Sequence, residues 1–278
     1  MVTSLREPAR PRFWRDGALP FIEARAVHDG RKVRYAKHAH ETFSIGIVTN
    51  GHCTYLNGKT RQCIGAGSVV VMNPGDAHAC NPSDDELWSY RMLYVEVPWL
   101  IGIQQDLGIS RNHHFRPFST TATAQPRLYT GLDRLYDVLT DEQAECLEKH
   151  SAALAFMAAV QQALNPAPDL PRHGHRGLVR AAEFIRDNHA RSLKLDEICS
   201  AADLSPSYLI RAFKDKYGLT PHAYLTNCRI EFSRSELRRG RPIAEVALAA
   251  GFSDQAHLQR SFKKLVAATP GQYRASVP

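Results

Sequence analysis

Three imidazoles and a row of aromatic rings carry most of the chemistry this sequence can offer. His38-Ala39-His40 places two histidines two positions apart, and the turn-forming string Asn73-Pro74-Gly75-Asp76-Ala77-His78 supplies a third. Side chains alternate along a strand, so a strand here points His38 and His40 to one side and Glu41 to the other. With His78 they present three nitrogens of the kind that hold Zn²⁺ or Fe²⁺. Further on, Trp88, Tyr90, Met92 and Tyr94 alternate in the string DELWSYRMLYVEV and so share one face. Large rings facing into a barrel mouth are what an apolar-walled pocket needs, although such rings also serve as plain core. The expectation is an effector pocket walled by Tyr35, His38, His40, His78, Trp88, Tyr90 and Met92, with no catalytic residues and no cofactor. A divalent metal on His38, His40 and His78 is the alternative, and a purely structural His78 at a strand-end turn is a third use.

Other chemistries find less support. The six cysteines, Cys53, Cys63, Cys80, Cys146, Cys199 and Cys228, include no CxxC pair and fit neither a zinc finger nor a disulfide framework. They read as ordinary thiols. The sequence has no Gly-x-Ser-x-Gly elbow, phosphate-binding loop or G-x-G-x-x-G fingerprint. No apolar run approaches the ~20 residues that cross a bilayer. The amino terminus is basic without the apolar stretch of a secretion signal, which predicts a cytoplasmic chain.

The 278 residues suffice for two domains, and the net charge of +7 lies wholly in residues 176–278. A basic surplus confined to one half is the pattern of a domain that meets a polyanion. Between the halves, 165–177 (NPAPDLPRHGHRG) is rich in proline and glycine and reads as a linker. Before it, short alternating runs at Thr42–Thr49, Cys53–Leu56, Ser68–Met72 and Ser89–Val95, with a hairpin turn at Asn57-Gly58, predict a β-sandwich or barrel. Two helices are expected next, Pro126–Leu139 and Gln143–Leu164. The second carries Cys146, His150, Leu154, Met157, Val160 and Leu164 at helical spacing, a stripe suited to dimerisation or to packing on the chain's own barrel. The division is thus 1–164, linker 165–177, and 178–278.

The carboxyl-terminal half contains an internal repeat. At an offset of 48, Glu197, Ala201, Ala202 and Ser205 match Glu245, Ala249, Ala250 and Ser253; one residue is then inserted. At an offset of 49, Leu209, Arg211, Phe213, Lys214, Thr220, Pro221 and Tyr224 match Leu258, Arg260, Phe262, Lys263, Thr269, Pro270 and Tyr273. In each copy a short helix, placed in the first by Leu195, Ile198 and Ala202, leads through a turn suited to capping into a second helix. Leu209 and Phe213, or Leu258 and Phe262, turn that second helix inward. Its other face shows Ser207, Arg211 and Lys214 in one copy, and Gln255, Gln259, Arg260 and Lys263 in the other. This is helix, short turn and polar-faced helix, the form that enters a major groove. An amphipathic bundle explains the apolar stripe but not the duplication, the turns and the localised charge together.

On these residues, GFSDQAHLQRSFKKLVAATPGQYR and LSPSYLIRAFKDKYGLTPHAYL resemble the two helix-turn-helix units of the AraC/XylS family of transcription regulators. The resemblance, over about Leu178 to Arg274, implies two such subdomains joined by a long helix near Pro221–Arg238. It also implies base contacts from Ser207 and Arg211, and from Gln255, Ala256, His257, Gln259 and Arg260, with Ala256 limited to apolar contact. Lys214, Lys263 and Lys264 are the expected phosphate contacts, which position a protein without reading sequence. The amino-terminal half, over about Lys32–Trp99, resembles a cupin barrel, whose metal-binding members add a glutamate to three histidines; here Phe43 and Ser44 hold that place. The strings NPGDAHACNP and WSYRMLYVEVPWL also resemble a regulator subgroup found beside amino-acid exporter genes, which implies an amino acid or related effector.

The resulting expectation is an α+β two-domain chain: a cupin-like β-barrel with flanking helices, then an all-α domain of two helix-turn-helix subdomains joined by a long helix. Its expected role is sequence-specific transcriptional regulation under a small-molecule effector. Double-stranded DNA, RNA polymerase and a second copy of the chain are the expected partners, with no membrane. The rival readings are a metal-dependent cupin enzyme fused to a DNA-targeting module and a constitutive regulator whose barrel only dimerises.

Overall fold

The structure, a computed structural model, describes residues 11–82, 87–110, 113–164 and 176–275. The amino-terminal half holds β1 (Arg12–Trp14), β2 (Ile22–Val27), β3 (Phe43–Asn50), β4 (His52–Asn57), β5 (Thr60–Gly65), β6 (Val69–Met72), β7 (His78–Pro82) and β8 (Ser89–Val95). Helix α1 (Val97–Asp106), the short β9 (Ala122–Thr123), α2 (Pro126–Thr140) and α3 (Cys146–Ala163) complete it. The strands form an antiparallel six-stranded sheet, β1-β2-β8-β3-β6-β9, and a three-stranded sheet, β5-β4-β7. Alternation divides the larger sheet into two faces. Ile22, Ala24, Ile45, Leu93 and Val95 pack on Leu132, Leu135, Phe156 and Val160 of α2 and α3. Val27, Val48, Val70, Met72, Tyr90 and Tyr94 face the smaller sheet, with Cys53 and Tyr55 opposite.

The predicted strands stand within a residue or two of their expected bounds, and Ser89–Val95 coincides. Gly58 takes the left-handed position (φ 58°) in the turn between β4 and β5. Two expectations are corrected. The segment His38–His40 is not a full strand: His38 makes one isolated bridge to His78, because Ala39 turns its backbone groups to the other domain. Helix α3 starts at Cys146 rather than Gln143, and its buried side is Lys149, Ala153, Phe156, Met157, Val160 and Gln161. Cys146 and Leu154 of the predicted stripe are exposed, so the stripe is rotated about the axis toward the chain's own sheet.

The carboxyl-terminal half is all helix: α4 (Arg176–Asp187), α5 (Leu195–Ala202), α6 (Pro206–Tyr217), α7 (Pro221–Arg238), α8 (Ile243–Ala249), α9 (Gln255–Val266) and α10 (Pro270–Ala275). Of the predicted linker, 165–175 lies outside the described residues, and 176 and 177 already belong to α4. The repeat is carried into backbone geometry. Asp203 and Gly251, aligned at the offset of 48, both adopt left-handed φ (55° and 83°) between the two helices of their unit. Gly218 and Ala267, aligned at the offset of 49, do the same (68° and 52°) where α6 and α9 end. Gly251 is irreplaceable on space as well, since a Cβ there would stand 2.6 Å from the Ala190 carbonyl oxygen.

Each unit has its own core: Leu209 and Phe213 with Ile185, Ile198 and Ala202, and Leu258 and Phe262 with Val246, Ala250 and Tyr273. Leu195, expected in the first core, is instead 36% exposed at the start of α5. The inserted Asp254 caps α9 by accepting from His257 N at 2.6 Å, whereas Ser205 holds the N-cap position of α6 without a side-chain bond. Helix α7 has the bounds expected for the joining helix.

Candidate effector cavity and nucleic-acid interface

Between the two sheets lies a small cavity, walled by Val70, Met72, Trp88, Tyr90, Met92 and Tyr94, with Tyr35, His38, His40, Ser44, His78 and Cys80 as its polar members. All seven predicted pocket residues line it. The three histidines are buried, and one ring nitrogen of each lies within 4.8 Å of the others'. His38 Nδ1 and His78 Nδ1 each stand 2.8 Å from a carbonyl oxygen two residues upstream, Ala36 and Asp76. Carbonyls accept, so both rings carry their proton on Nδ1. Burial holds all three below the ordinary histidine range, aided by the neighbouring imidazoles at His38 and His78 and by Arg234 at His40; His78 falls to about 3, and all three are neutral. Phe43 and Ser44 occupy the place of the missing glutamate. Phe43 is core, while the buried Ser44 hydroxyl faces the cavity without a hydrogen-bond partner among the described residues. Tyr35 and Tyr90 close one side with a short hydroxyl–hydroxyl bond.

The cavity abuts the carboxyl-terminal half. His40 Nδ1 lies 3.3 Å from Arg234 Nη1 and 3.7 Å from Glu231 Oε1, both on α7. Asn227, one helical turn before Glu231, bonds both backbone groups of Ala39, at 3.1 and 3.0 Å. Arg234 continues to Glu23 of β2 at 3.2 Å, and Glu23 also accepts from Arg15 (2.6 Å) and the Tyr273 hydroxyl (2.9 Å). The end of α9 is held by the β domain. Ala36 N donates to Lys264 O at 3.0 Å and Arg25 Nη1 to Val266 O at 2.8 Å. These carbonyls belong to the last turn, which has no intrahelical donors left, and a guanidinium there also suits the negative end of the helix. Phe13 of β1 completes the join by entering the core of the second unit.

The sequence pointed to none of Glu23, Arg25, Asn227, Glu231 or Arg234. Glu23 and Arg25 alternate with alanines, as solvent-facing charges do; their burial depends on partners over 200 residues away. The thiols hold a further surprise: Cys53 and Cys80 approach with Sγ atoms 2.8 Å apart. The Cys53 thiol beside it and then burial push Cys80 well up, which leaves it a poor nucleophile.

The predicted reading face is on the surface. Ser207, Arg211 and Lys214 on α6, and Gln255, Ala256, Gln259, Arg260, Lys263 and Lys264 on α9, are exposed. His257 is half-buried, its ring edge-on to Phe252 at 5.1 Å and its Nδ1 3.2 Å from Ser253 Oγ.

A cavity-bearing β domain seated on a duplicated helix-turn-helix domain defines a class: transcriptional regulators with a ligand-binding half. Family models agree, an AraC-like ligand binding domain matching residues 23–160 and a helix-turn-helix domain matching 198–276. Among curated proteins, the HTH-type regulator YbfI of Bacillus subtilis is 25% identical over 238 residues, covering 81% of this chain and 82% of its own. The XylDLEGF operon transcriptional activator 1 of Pseudomonas putida is 24% identical over 237 residues, 80% of this chain and 72% of its own. An apo variant of ToxT from Vibrio cholerae shares the fold, with TM-score 0.58, 12% identity and 97% of each chain covered. ToxT has also been solved with an unsaturated fatty acid bound, matching with TM-score 0.54 at 13% identity over 97% of this chain and 95% of that one. The chain belongs to the AraC/XylS family of transcriptional regulators.

Proposed function

We propose that a small organic molecule held between the two sheets sets how the paired helix-turn-helix units sit on operator DNA. The observation that carries this is the double placement of His40, a wall of the cavity and a neighbour of Arg234 and Glu231 on the helix that joins the two units. A ligand that moves His40 or Tyr35 thereby acts on α7. Arg25 beside Tyr35, whose other end grips the last turn of α9, gives a second route. Control of this kind requires unequal ligand affinity for the two arrangements. The few polar groups among the cavity's aromatic walls match the composition of small-molecule sites. An amino acid or related compound is the effector class put forward, and the fatty acid bound by ToxT supports an organic ligand in this fold.

The test is DNA affinity of the full chain measured with and without a panel of amino acids. A compound that binds the protein and shifts operator affinity several-fold supports the reading. A panel that binds yet leaves affinity unchanged favours a barrel that serves only in assembly.

Arg211 and Lys263 are assigned different roles on the reading helices. Arg211→Ala is expected to relax preference at one base pair, with a discrimination loss of about 1–3 kcal/mol. Lys263→Ala is expected to weaken all duplexes alike and to make the salt slope shallower by roughly one. Binding-site selection and salt titration on both variants distinguish the two, and identical behaviour would contradict the assignment.

A further inference from the structure

Three imidazoles buried side by side, with their rings fixed from behind, are an arrangement that mere cavity walls do not require. The centroids of His38 and His78 are 4.6 Å apart, His38 and His40 4.8 Å, and His40 and His78 5.0 Å. His38 and His78 spend their Nδ1 protons on carbonyl oxygens, so each has a bare Nε2 lone pair to offer. His40 turns its Nδ1 toward Arg234 and Glu231, which leaves Nε2 as the atom it can contribute. Metal-binding histidines show this same support, with the second ring nitrogen held by a carbonyl or a carboxylate.

We propose that His38, His40 and His78 form a site for a first-row divalent cation of the zinc type, and that His40 reports its occupancy to α7. Three imidazoles suit zinc, iron, nickel or copper rather than magnesium or calcium, and three protein ligands leave one position open. The three histidines and the Ser44 hydroxyl, which has no partner among the described residues, line the same cavity. Zinc–nitrogen bonds of ~2.1 Å put tetrahedral ligand atoms roughly 3.4 Å apart, so ring nitrogens now within 4.8 Å of one another close in by at most about 1.4 Å.

The coupling follows from where a proton sits. Arg234 only donates and Glu231 only accepts, so without an ion His40 Nδ1 can serve either, accepting from Arg234 when its proton sits on Nε2. A cation on Nε2 requires that proton to move to Nδ1, with no net proton released. Arg234 then loses its acceptor, and Glu231, 3.7 Å away, gains a donor. Ion binding therefore exchanges one interdomain hydrogen bond for another on the same helix. This goes beyond the effector reading while sharing its route through His40 to α7; ion binding is read by titration and effector binding by operator affinity, so the failure of either is distinguishable from the failure of the other.

The experiment is a titration of the chelator-stripped full chain with Zn²⁺ alone, and with Co²⁺ for its visible absorption. The chain carries Cys63→Ser and Cys146→Ser, which remove the two exposed thiols. One ion per chain is expected. His78→Ala should weaken it by more than ~100-fold, and Glu231→Gln by roughly 10-fold. Zinc should also alter amide exchange along α7 in the parent and not in Glu231→Gln. Circular dichroism and chelated melts establish that each variant folds. Should His78→Ala fail to fold, X-ray absorption of the parent's zinc complex reads the ligands directly, and imidazole shells are expected. No bound ion, equal binding by parent and His78→Ala, or a spectrum without imidazole would overturn the site. Unchanged exchange in α7 on zinc binding would overturn the coupling.

Discussion

Replacing Arg234 with methionine should lower the unfolding free energy by about 3–5 kcal/mol, the usual cost of removing one partner from a buried ion pair. Arg234 is 5% exposed and donates to Glu23 (3.2 Å), Glu231 (3.1 Å) and the Tyr273 hydroxyl (3.2 Å). Methionine fills similar volume but leaves the buried Glu23 and the half-buried Glu231 carboxylates without the Arg234 guanidinium. Urea denaturation measures the loss, and adding Glu231→Gln to Arg234→Met should recover part of it. A loss under ~1 kcal/mol would show that this cluster does not fasten the halves together. The same cluster sets an acid limit. Burial alone would raise Glu23, but Arg234, Arg15 and Arg238 outweigh it and hold its carboxyl below the usual range. A carboxyl depressed in the folded state stabilises fully above its unfolded value, about 4.3, and loses that contribution as pH falls through the lower folded value. The join between the halves should therefore be intact at neutral pH and weaken below about pH 4.

Phe262→Ala is the second large effect. Phe262 is fully buried in the core of the second unit, edge-on to Tyr273 at 5.5 Å, and its truncation should cost about 3–5 kcal/mol. The damage reaches beyond that core. Tyr273 is the partner of both Glu23 and Arg234, and the end of α9 is held by Arg25 and Ala36, so a collapsed α9 also loosens the barrel. DNA binding should fall with stability, and Phe262→Leu should retain most of both. Stability near that of the parent with Phe262→Ala would mean that α9 is positioned chiefly by the barrel and little by its own core.

What the sequence made legible was what repeats or alternates. The duplication located both helix-turn-helix units because the same physical demands recur at a fixed spacing: inward Leu209 and Phe213, then Leu258 and Phe262. Even the left-handed pairs Asp203/Gly251 and Gly218/Ala267 fall at aligned positions. The cavity wall was legible because β8 alternates. The stripe of α3 was misplaced because a helix rich in alanine and leucine offers more than one apolar face, and only the sheet beneath decides which is used. Strands β1 and β2 were missed for a related reason: β2 is buried on both faces, so its charges gave a misleading signal. The join between the halves was hidden altogether, because Glu23 meets Arg234, and Arg25 meets the Val266 carbonyl, only across it.

The central claim is that two related units place α6 and α9 in successive major grooves on one face of a duplex. Hydroxyl-radical footprinting of the full chain, on a duplex it selects from a random-sequence pool, tests this most directly. Two protected stretches about one helical turn apart, roughly 10–10.5 base pairs, are predicted. Protection at only one groove, or none at low salt, would contradict it.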